Sequence, residues 1–561
     1  MTRLLRFVSF LACVLYAGSA FGVTPTGGAC PTGANYINPS TGSQVTLSSL
    51  GVTKCFYISA AGSDTNSGTT EASPWLHAPG MIGCTANCAL IDNGSGNPGN
   101  ARPGQGFIVR GGDVWHSANL PWTWRSAGSS GSPIYLGVDP TWYTGSSWTR
   151  PVLNLDNAGN GMNGLGSAFI TGGGNQSPYV WLDDFEFINN YTCITGGSGY
   201  SGYAQLNSSN STFTRNYLHA WTHCSTANVP DGCELFSLDE ANGESGYTVE
   251  YNIWDGSDST NGGDSCYAMY EGGSDSTTII AYNFIQDVAN GVVGQYPIVH
   301  DNTILNIVRD YAQLNGNGSY HGNAFENNHC QSPCFIYNNV ISGVNPYAGV
   351  TFWDSPNGSF DYIFNNVIVN TSNGNVLDTL TGSGAQAAGG YVMEFNNTVE
   401  CGMDSSPPSS MCSGDTNSAT AKSSFLNNHF LTTHPPVPLS NWGTQSNNVT
   451  QTKSNANGQG YSLTQMFSFS PASASNSSVH AGANEQTLCA TIAGLNPAAG
   501  IACQSDTTYG VSYNTSNHTV TSPARTPVAR PMTGAWDSGA YQFSSQVPAP
   551  VTAVKAKVVS N

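Results

Sequence analysis

The sequence predicts an all-β chain wound into a parallel β-helix of three-strand coils, and three observations lead to this fold class. A phrase of apolar residues, Asn or Asn-Asn, and further apolar residues recurs, as in FEFINN (185–190), VEYNIW (249–254), FIYNNVI (335–341) and YIFNNVI (362–368). A second apolar stretch precedes each phrase, so one unit reads strand, variable loop, strand, Asn, strand. No segment carries a long helical period of apolar residues. Self-similarity at a period of about 20–35 residues is typical of a solenoid.

The recurring Asn explains how such a coil turns. A chain wound into a β-helix must bend sharply between consecutive strands, and Asn tolerates the left-handed backbone conformation that the bend needs. Its side-chain amide can also hydrogen-bond to the Asn one coil above and one coil below, as in stacked Asn ladders. We therefore expect an Asn ladder that runs through roughly nine to eleven coils.

The repeat and the local composition divide the chain into five segments. Residues 1–22 have the form of a secretory signal, with Arg3 and Arg6 before the apolar run FVSFLACVLYA and small residues after it. The repeat itself occupies 104–431. The other predicted segments are an N-terminal cap with the first strands (23–103), C-terminal coils or a cap (432–543) and a flexible tail (544–561).

Charge and composition exclude several classes of partner. Only 9% of the residues are charged and the formal net charge is −19, which argues against nucleic acids and anionic membranes because both require basic patches. A polyanionic substrate would be repelled unless Ca²⁺ bridged it. The 12 Trp, 26 Tyr and 22 Phe exclude disorder for most of the chain and, with the many polar amides, suit carbohydrate. We expect an exported, monomeric protein that binds a polysaccharide and does not insert into membranes.

Cysteine usage supports export. Of the 15 Cys, Cys13 lies in the predicted signal, which leaves an even number in the mature chain. Several of these lie close together in sequence and suggest local disulfides in an oxidising compartment. The closest pairs are Cys84/Cys88, Cys224/Cys233, Cys330/Cys334, Cys401/Cys412 and Cys489/Cys503.

Phrases at both ends of the chain follow a recognisable order. The opening phrases contain Gly62, Ser63, Asp64, Asn66, Gly68, Thr69, Pro74 and Trp75, then Gly112, Asp113 and Val114, and then Gly131, Pro133 and Ile134. The closing phrases are FSFSPASASNSSVHAGAN (467–484) and ARPMTGAWDSGAYQF (529–543). Together they resemble those of secreted right-handed parallel β-helix proteins of the pectate-lyase-like superfamily. The resemblance implies a right-handed helix in which the first strand of each coil and its following loop face the substrate cleft. It does not fix the activity, since the superfamily includes lyases, hydrolases, epimerases and non-catalytic adhesins.

Acidic residues in these first strands are the candidate catalytic groups. Asp239 and Glu240 lie one coil before Glu271, and because stacked strands are about 4.8 Å apart, their carboxylates can approach to the distance used in glycoside hydrolysis. His321 lies two coils further on. The candidate substrate-binding residues are Tyr267, Asn323, Trp353 and Asp354, and the candidate metal ligand is Asp264, for a possible Ca²⁺.

Two alternatives remain open at this point. A polysaccharide lyase of this fold needs a cationic base, and Arg309 is the candidate; Arg215 immediately precedes a ladder Asn and is expected to point away from the cleft. The pair Asp183-Asp184 is expected on a second strand, off the cleft. Stacked acids also suit a non-catalytic glycan-binding or adhesion protein. The sequence thus predicts a secreted carbohydrate-active protein without separating hydrolase, lyase and adhesin.

Overall fold

The structure of the protein is a computed structural model. It describes residues 25–39, 41–92, 99–157, 167–173, 175–191, 202–222, 234–238, 243–259, 267–271, 277–295, 297–307, 322–327, 333–344, 350–352, 360–369, 377–379, 391–401, 413–415, 424–432, 444–462, 467–521 and 523–544. The predicted signal (1–22) lies outside these ranges.

Within these ranges the chain forms three long parallel sheets, named here by their order in a coil. The first sheet comprises Trp122–Trp124, Ser167–Thr171, Gly202–Leu206, Phe236–Leu238, Tyr267–Glu271, Asn290–Gly294, Phe325–Asn327, Val350–Phe352, Leu377–Thr379 and Ser413–Asp415. The second sheet comprises Lys54–Ile58, Gln105–Gly111, Ile134–Tyr143, Val180–Asp183, Thr212–Thr214, Thr248–Glu250, Ile279–Ala281, Ile298–His300, Phe335–Tyr337, Phe360–Phe364, Tyr391–Phe395, Ser424–Leu426 and Thr444–Ser446.

The third sheet contains the strands that follow the recurring Asn. They are Val114–His116, Val152–Asn154, Glu186–Ile188, Tyr217–His219, Ile253–Asp255, Phe284–Val288, Thr303–Ile307, Val340–Ser342, Val367–Val369, Thr398–Cys401, His429–Thr432 and Val449–Gln451. In all three sheets, strands of successive coils are neighbours in a monotonic order. The predicted parallel β-helix is therefore confirmed.

Smaller elements lie outside the coils. Two antiparallel pairs are formed by Tyr36–Ile37 with Gln44–Val45 and by Ser512–Asn514 with Thr519–Thr521. The described helices are Ala86–Ala89, Lys453–Gly458, Gln486–Leu495 and Pro497–Cys503, with 3₁₀ turns at Leu47–Leu50 and Ser117–Asn119. None of the helices in the described ranges is long and apolar enough to cross a lipid bilayer.

Alternate residues of each strand point into the coil and form one continuous core. In the second sheet Leu136, Leu182 and Phe213 stack in register on successive coils and are fully buried. Their inward rows belong to a single apolar cluster that also contains Phe236 of the first sheet and Leu218 of the third sheet. The two-residue period of the strands thus decides which side chains remain for the outer faces.

The predicted Asn ladder is present at the corner between the second and third sheets. Each ladder Asn donates its backbone N–H to the Oδ1 atom of the next ladder Asn at 2.9–3.0 Å. The ladder consists of Asn216, Asn252, Asn283, Asn302, Asn339, Asn366, Asn397, Asn428 and Asn448. It satisfies buried backbone donors that the bend would otherwise leave without a partner.

The expectation that the ladder Asn itself adopts the left-handed conformation is wrong. The residue before it has the positive φ, at 56° for Arg215, 58° for Tyr251 and 59° for Asn338. The ladder Asn must keep its side chain in the stack, so the reversal of the chain falls on its predecessor. In the Asn-Asn pairs the first Asn therefore makes the turn and the second Asn forms the ladder, which explains why the pair recurs.

Segments from both ends of the chain cover the outer faces. The N-terminal segment packs Tyr36 and Leu47 onto Tyr135 and Trp181 of the second sheet. The C-terminal helices cover later strands of the same sheet around Phe364. The C-terminal hairpin covers the third sheet.

Disulfides hold these covering segments. The predicted pairs Cys84–Cys88 and Cys489–Cys503 are bonded, and an additional disulfide joins Cys30 to Cys55. This last bridge ties the N-terminal segment to the first strand of the second sheet. The predicted pairs Cys224/Cys233, Cys330/Cys334 and Cys401/Cys412 involve residues outside the described ranges.

Candidate functional site on the first sheet

The first sheet presents one continuous outward row of side chains. Its members are in register on successive coils and are half-buried in the first five coils and buried in the last two; they are Thr123, Ile170, Gln205, Ser237, Tyr270, Val293 and Glu326. The residues on either side of this row, such as Leu206 and Phe236, point into the core. The row therefore forms the floor of the outer face of the first sheet.

Three polar side chains meet near Glu326 of this row. The Asn323 backbone N–H donates to Oδ1 of Asn290 at 2.9 Å, and the Asn323 side-chain amide donates to Oε2 of Glu326 at 3.1 Å. All three residues are at most 7% exposed. Nδ2 of Asn290 and Oδ1 of Asn323 have no hydrogen-bond partner among the residues that the structure describes. Buried polar atoms without partners are uncommon and point to a ligand or water that would satisfy them.

Two tyrosines lie beside this polar cluster. The rings of Tyr267 and Tyr270 lie 6.2 Å apart between centroids with an interplanar angle of 24°. Tyr267 is in register with Asn290, and Tyr270 is separated from Glu326 by one strand, at Val293. Aromatic faces next to amide and carboxylate groups provide both the stacking surface and the hydrogen-bonding groups that a sugar ring needs.

Glu234 adds an uncharged acid to the same face. It forms a β-bridge with Tyr267 and is 4% exposed, and burial raises the pKa of its carboxyl to about 8. At neutral pH this group therefore carries a proton. Its strand is three strands away from that of Glu326, about 14 Å at the usual interstrand spacing, which exceeds the separation of a catalytic carboxylate pair.

Most of the predicted site residues lie outside the described ranges. These are Asp239, Glu240, Arg309, His321, Trp353, Asp354 and Asp264. Tyr267 and Asn323 are described and lie at the polar cluster on the first sheet.

Glu271 is described by its backbone, as the last residue of its strand. It is in register with Leu238, the residue immediately before Asp239. This pairing puts the strand end that leads to Asp239 beside Glu271, as the predicted carboxylate pair requires. On the two preceding strands, Leu206 and Leu238 occupy the same register position as Glu271 and point into the core. On the following strand, Gly294 occupies this position.

The residues expected away from the cleft lie away from it. Asp183 ends a strand of the second sheet and forms a buried ion pair with Arg215, while Asp184 pairs with Arg150 at 2.8 Å. The Arg215 guanidinium also donates to the Asn35 carbonyl at 3.1 Å, which ties it to the N-terminal segment. Arg215 is thus a structural residue.

In the described part of the chain, no group of three or more His, Cys, Asp or Glu side chains has the geometry to hold a metal ion. The predicted Ca²⁺ ligand Asp264 is not among these residues.

A second cluster of titratable groups lies on the third sheet. The two ring nitrogens of His219 lie 2.6 Å from Oδ2 of Asp258 and 3.0 Å from Oε1 of Glu186. Burial opposes protonation, but the hydrogen bonds to Asp258 and Glu186 outweigh it and raise the pKa of His219 to about 9. The Tyr217 ring stacks between His219 and His518 of the C-terminal hairpin. Both ring nitrogens of His219 are occupied, so the cluster serves to join the hairpin region to the sheet.

Sequence reasoning missed Asn290 and Tyr270 on the first sheet. Asn290 stands in QDVANGVVG (286–294), which lacks the recurring phrase and contains no acid next to the Asn. Tyr270 was hidden by the run CYAMYE, in which either set of alternate residues could face outward. Both residues are recognised only from the register of their strands with those of Tyr267 and Glu326. That register depends on the lengths of the loops between successive strands.

Among known proteins, the chain is similar to several solved structures. Neither a protein-family model nor a curated protein sequence matches the chain. The chain is similar to a crystal structure of pectate lyase Pel9A, with 15% identity, a TM-score of 0.42 and coverage of 87% of this chain and 96% of that one. It is also similar to the GH136 lacto-N-biosidase from Eubacterium ramulus (12% identity, TM-score 0.38, 71% and 68% coverage) and to a rhamnogalacturonan lyase (13%, 0.35, 70% and 87%).

Proposed function

We propose that this protein is an exported carbohydrate-active enzyme that binds a neutral polysaccharide along the outer face of the first sheet and hydrolyses it. The observation that carries the proposal is the cluster of Asn290, Asn323 and Glu326 beside Tyr267 and Tyr270. Its two unpartnered buried polar atoms and its aromatic faces match the needs of a sugar ring. The predicted signal and the disulfides support export.

The charge of this face supports a neutral substrate. Its strands contain Glu271, Glu326, Asp378 and Asp415, with Glu234 in a bridge next to Tyr267, and no Lys or Arg in the described ranges. A uronate chain would meet carboxylates without a neutralising cation, in a protein whose formal net charge is −19. A neutral polysaccharide carries no such penalty, and its hydroxyl groups can bond to the amide of Asn323.

Hydrolysis requires two carboxyl groups on either side of the scissile bond. We assign these to Glu326 and to the acids at the neighbouring strand ends, Glu271 with Asp239 or Glu240. The strands of Glu271 and Glu326 are separated by one strand, which gives a backbone spacing of about 10 Å. This spacing is compatible with the roughly 6.5–9.5 Å between carboxyl groups in inverting glycosidases.

One observation favours a second function, non-catalytic glycan binding. The two acids of this face whose side chains are described, Glu234 and Glu326, are spread over three strand spacings instead of converging. An even stripe of polar and aromatic groups suits the binding of an extended glycan without cleavage. The first function requires the acids beyond the described ranges to complete a pair with Glu326 or Glu271.

The test is the activity of the mature protein on a panel of neutral and uronate polysaccharides, with Ca²⁺ and with chelator. We expect new reducing ends on a neutral substrate without absorbance at about 235 nm, the signature of hydrolysis without elimination. Chelator-sensitive absorbance on a uronate substrate would instead identify a lyase and point to Arg309. Binding without cleavage across the panel would establish the non-catalytic function.

A further inference from the structure

The outer face of the second sheet is covered at both ends and open between them. Tyr135 and Trp181 are 0% and 3% exposed beneath the N-terminal segment, and Phe335 is 4% exposed beneath the C-terminal helices. In the same outward row, between these covered residues, Thr212 and Thr248 occupy adjacent strands and are half-buried. Along this row, the covered aromatic side chains of Tyr135 and Trp181 are therefore followed by the accessible, hydroxyl-bearing side chains of Thr212 and Thr248.

A groove of about 400 Å³ lies at this transition. Its walls include Leu50 of the N-terminal segment, the rings of Trp181 and Tyr179, and the amide residue Asn210, and its floor is Thr212 and Thr248. A volume of this size is within the usual range of small-molecule sites. None of the described residues that line the groove carries a charge.

The chemistry of the groove matches a neutral sugar. The hydroxyl groups of Thr212 and Thr248 point out of the sheet, because the residues that follow them, Phe213 and Val249, are in the core. Trp181 supplies an apolar edge, and its indole N–H is already bonded to Thr214. Hydroxyl and amide groups on an apolar wall, without charges, are what an uncharged polyhydroxylated ring requires.

The length of the groove indicates an extended ligand. Its lining residues come from four successive coils, at 129–133, 179–181, 210–212 and 246–248. Three strand spacings correspond to about 14 Å along the helix axis. This length suits several linked sugar rings better than a single one.

We infer that this groove is a second carbohydrate-binding site, which takes a short segment of a neutral glycan on a face separate from the first sheet. The site goes beyond the proposed function, because it contains no carboxylate and would hold a glycan without cleaving it. Its occupant can be another part of the same polysaccharide or a separate neutral glycan.

Isothermal titration calorimetry with cellohexaose, xylohexaose and mannohexaose tests this site, and hexagalacturonate serves as the charged comparison. The protein for the titration carries Glu326→Gln and Tyr270→Ala, which disable the first-sheet face. We expect this protein to bind at least one neutral hexasaccharide and to bind hexagalacturonate at least tenfold more weakly. Adding Thr248→Arg should weaken the remaining binding at least tenfold by filling the groove.

Control variants separate occlusion of the groove from a general effect of the substitution. Thr450→Arg, at an exposed threonine of the third sheet, should leave the affinity unchanged. Thr212→Lys tests the same floor independently, and the thermal unfolding midpoint of each variant shows that it has folded. The inference is overturned if no neutral hexasaccharide binds when the first-sheet face is disabled, or if Thr248→Arg and Thr212→Lys both bind as tightly as their parent. These outcomes do not depend on whether the protein cleaves any substrate.

Discussion

The Oδ1 atom of Asn339 accepts two hydrogen bonds from Asn302, one from the backbone N–H at 2.9 Å and one from the side-chain amide at 3.0 Å. Both residues are fully buried. The contact joins successive coils at their sharpest bend, and the same contact repeats along the ladder. It couples the conformation of each turn to that of the next.

We predict that Asn339→Ala destabilises the protein far more than Asn338→Ala. The first substitution leaves the buried backbone N–H of Asn302 without its acceptor and removes the side-chain donor to the Val299 carbonyl, and each unsatisfied group costs about 1–3 kcal/mol, for a total of about 2–6 kcal/mol. At Asn338, Ala meets only the penalty of the left-handed conformation, about 1–2 kcal/mol. Chemical denaturation of the two variants measures both values. Equal losses of unfolding free energy in the two variants would mean that the ladder hydrogen bonds of Asn339 contribute no more to stability than the left-handed turn residue Asn338.

We predict that Glu250→Gln stabilises the protein at neutral pH. Glu250 is 3% exposed, one of its carboxyl oxygens lacks a partner, and burial raises its pKa to about 8. Because the folded pKa lies above that of the unfolded chain, the contribution of this group is fully present below about pH 4.5 and is lost as the pH rises through 8.

Gln has nearly the same shape and does not ionise, so the variant should gain up to about 3 kcal/mol at pH 7 and nothing at pH 4. Unfolding midpoints of variant and wild type from pH 4 to 8 measure the difference. A constant difference across this range would contradict the prediction.

We predict the loss of a stabilising contribution from His219 at alkaline pH. Its folded pKa of about 9 lies above the ordinary value of 6.5, so the contribution is fully present below 6.5 and is lost as the pH rises through 9. The expected loss between pH 6 and pH 10 is about 3 kcal/mol relative to His219→Gln. Thermal unfolding of both proteins at the two pH values checks this, and parallel pH profiles would argue against the ion pairs with Asp258 and Glu186.

We predict that Glu326→Gln abolishes cleavage of the neutral polysaccharide that the panel identifies. Loss of one acid or base of the pair should lower kcat about 10²–10⁴-fold. Asn323→Ala should raise KM and lower kcat less, because Asn323 bonds to the carboxylate of Glu326 and reaches the substrate only with its amide. Steady-state kinetics of these variants and of the control Glu71→Gln distinguish the two roles. Unchanged kcat in Glu326→Gln would remove this residue from the mechanism.

Glu271→Gln tests whether Glu271 is the second carboxyl group of the catalytic pair with Glu326. If Glu271 completes the carboxylate pair, the variant should lose cleavage to the same extent as Glu326→Gln, and its unfolding midpoint should stay near that of the wild type. If the inward register of Leu238 continues to Glu271, the variant should instead change stability and leave kcat unchanged. Kinetics and thermal unfolding measured on the same preparation separate these outcomes.

The sequence by itself determined the coil. The alternation of apolar residues and the recurring Asn are local signals, and each coil repeats them, so strand order and the ladder could be predicted without knowing any loop. The first-sheet positions of Tyr267 and Asn323 followed from the same repeat. The disulfides between close cysteines, such as Cys84–Cys88, were also accessible from spacing alone.

The tertiary structure decided which side chains meet. Asn290 and Asn323 are 33 residues apart in the sequence. They come into contact because the strands Asn290–Gly294 and Phe325–Asn327 pair in register, and no local pattern specifies that register. The groove over Thr212 and Thr248 is lined by the N-terminal segment, at Asn38 and Leu50, and by four successive coils, which only the tertiary structure brings together. A periodic pattern fixes how each coil folds, whereas sites on a solenoid arise from long-range register and from the segments packed on its faces.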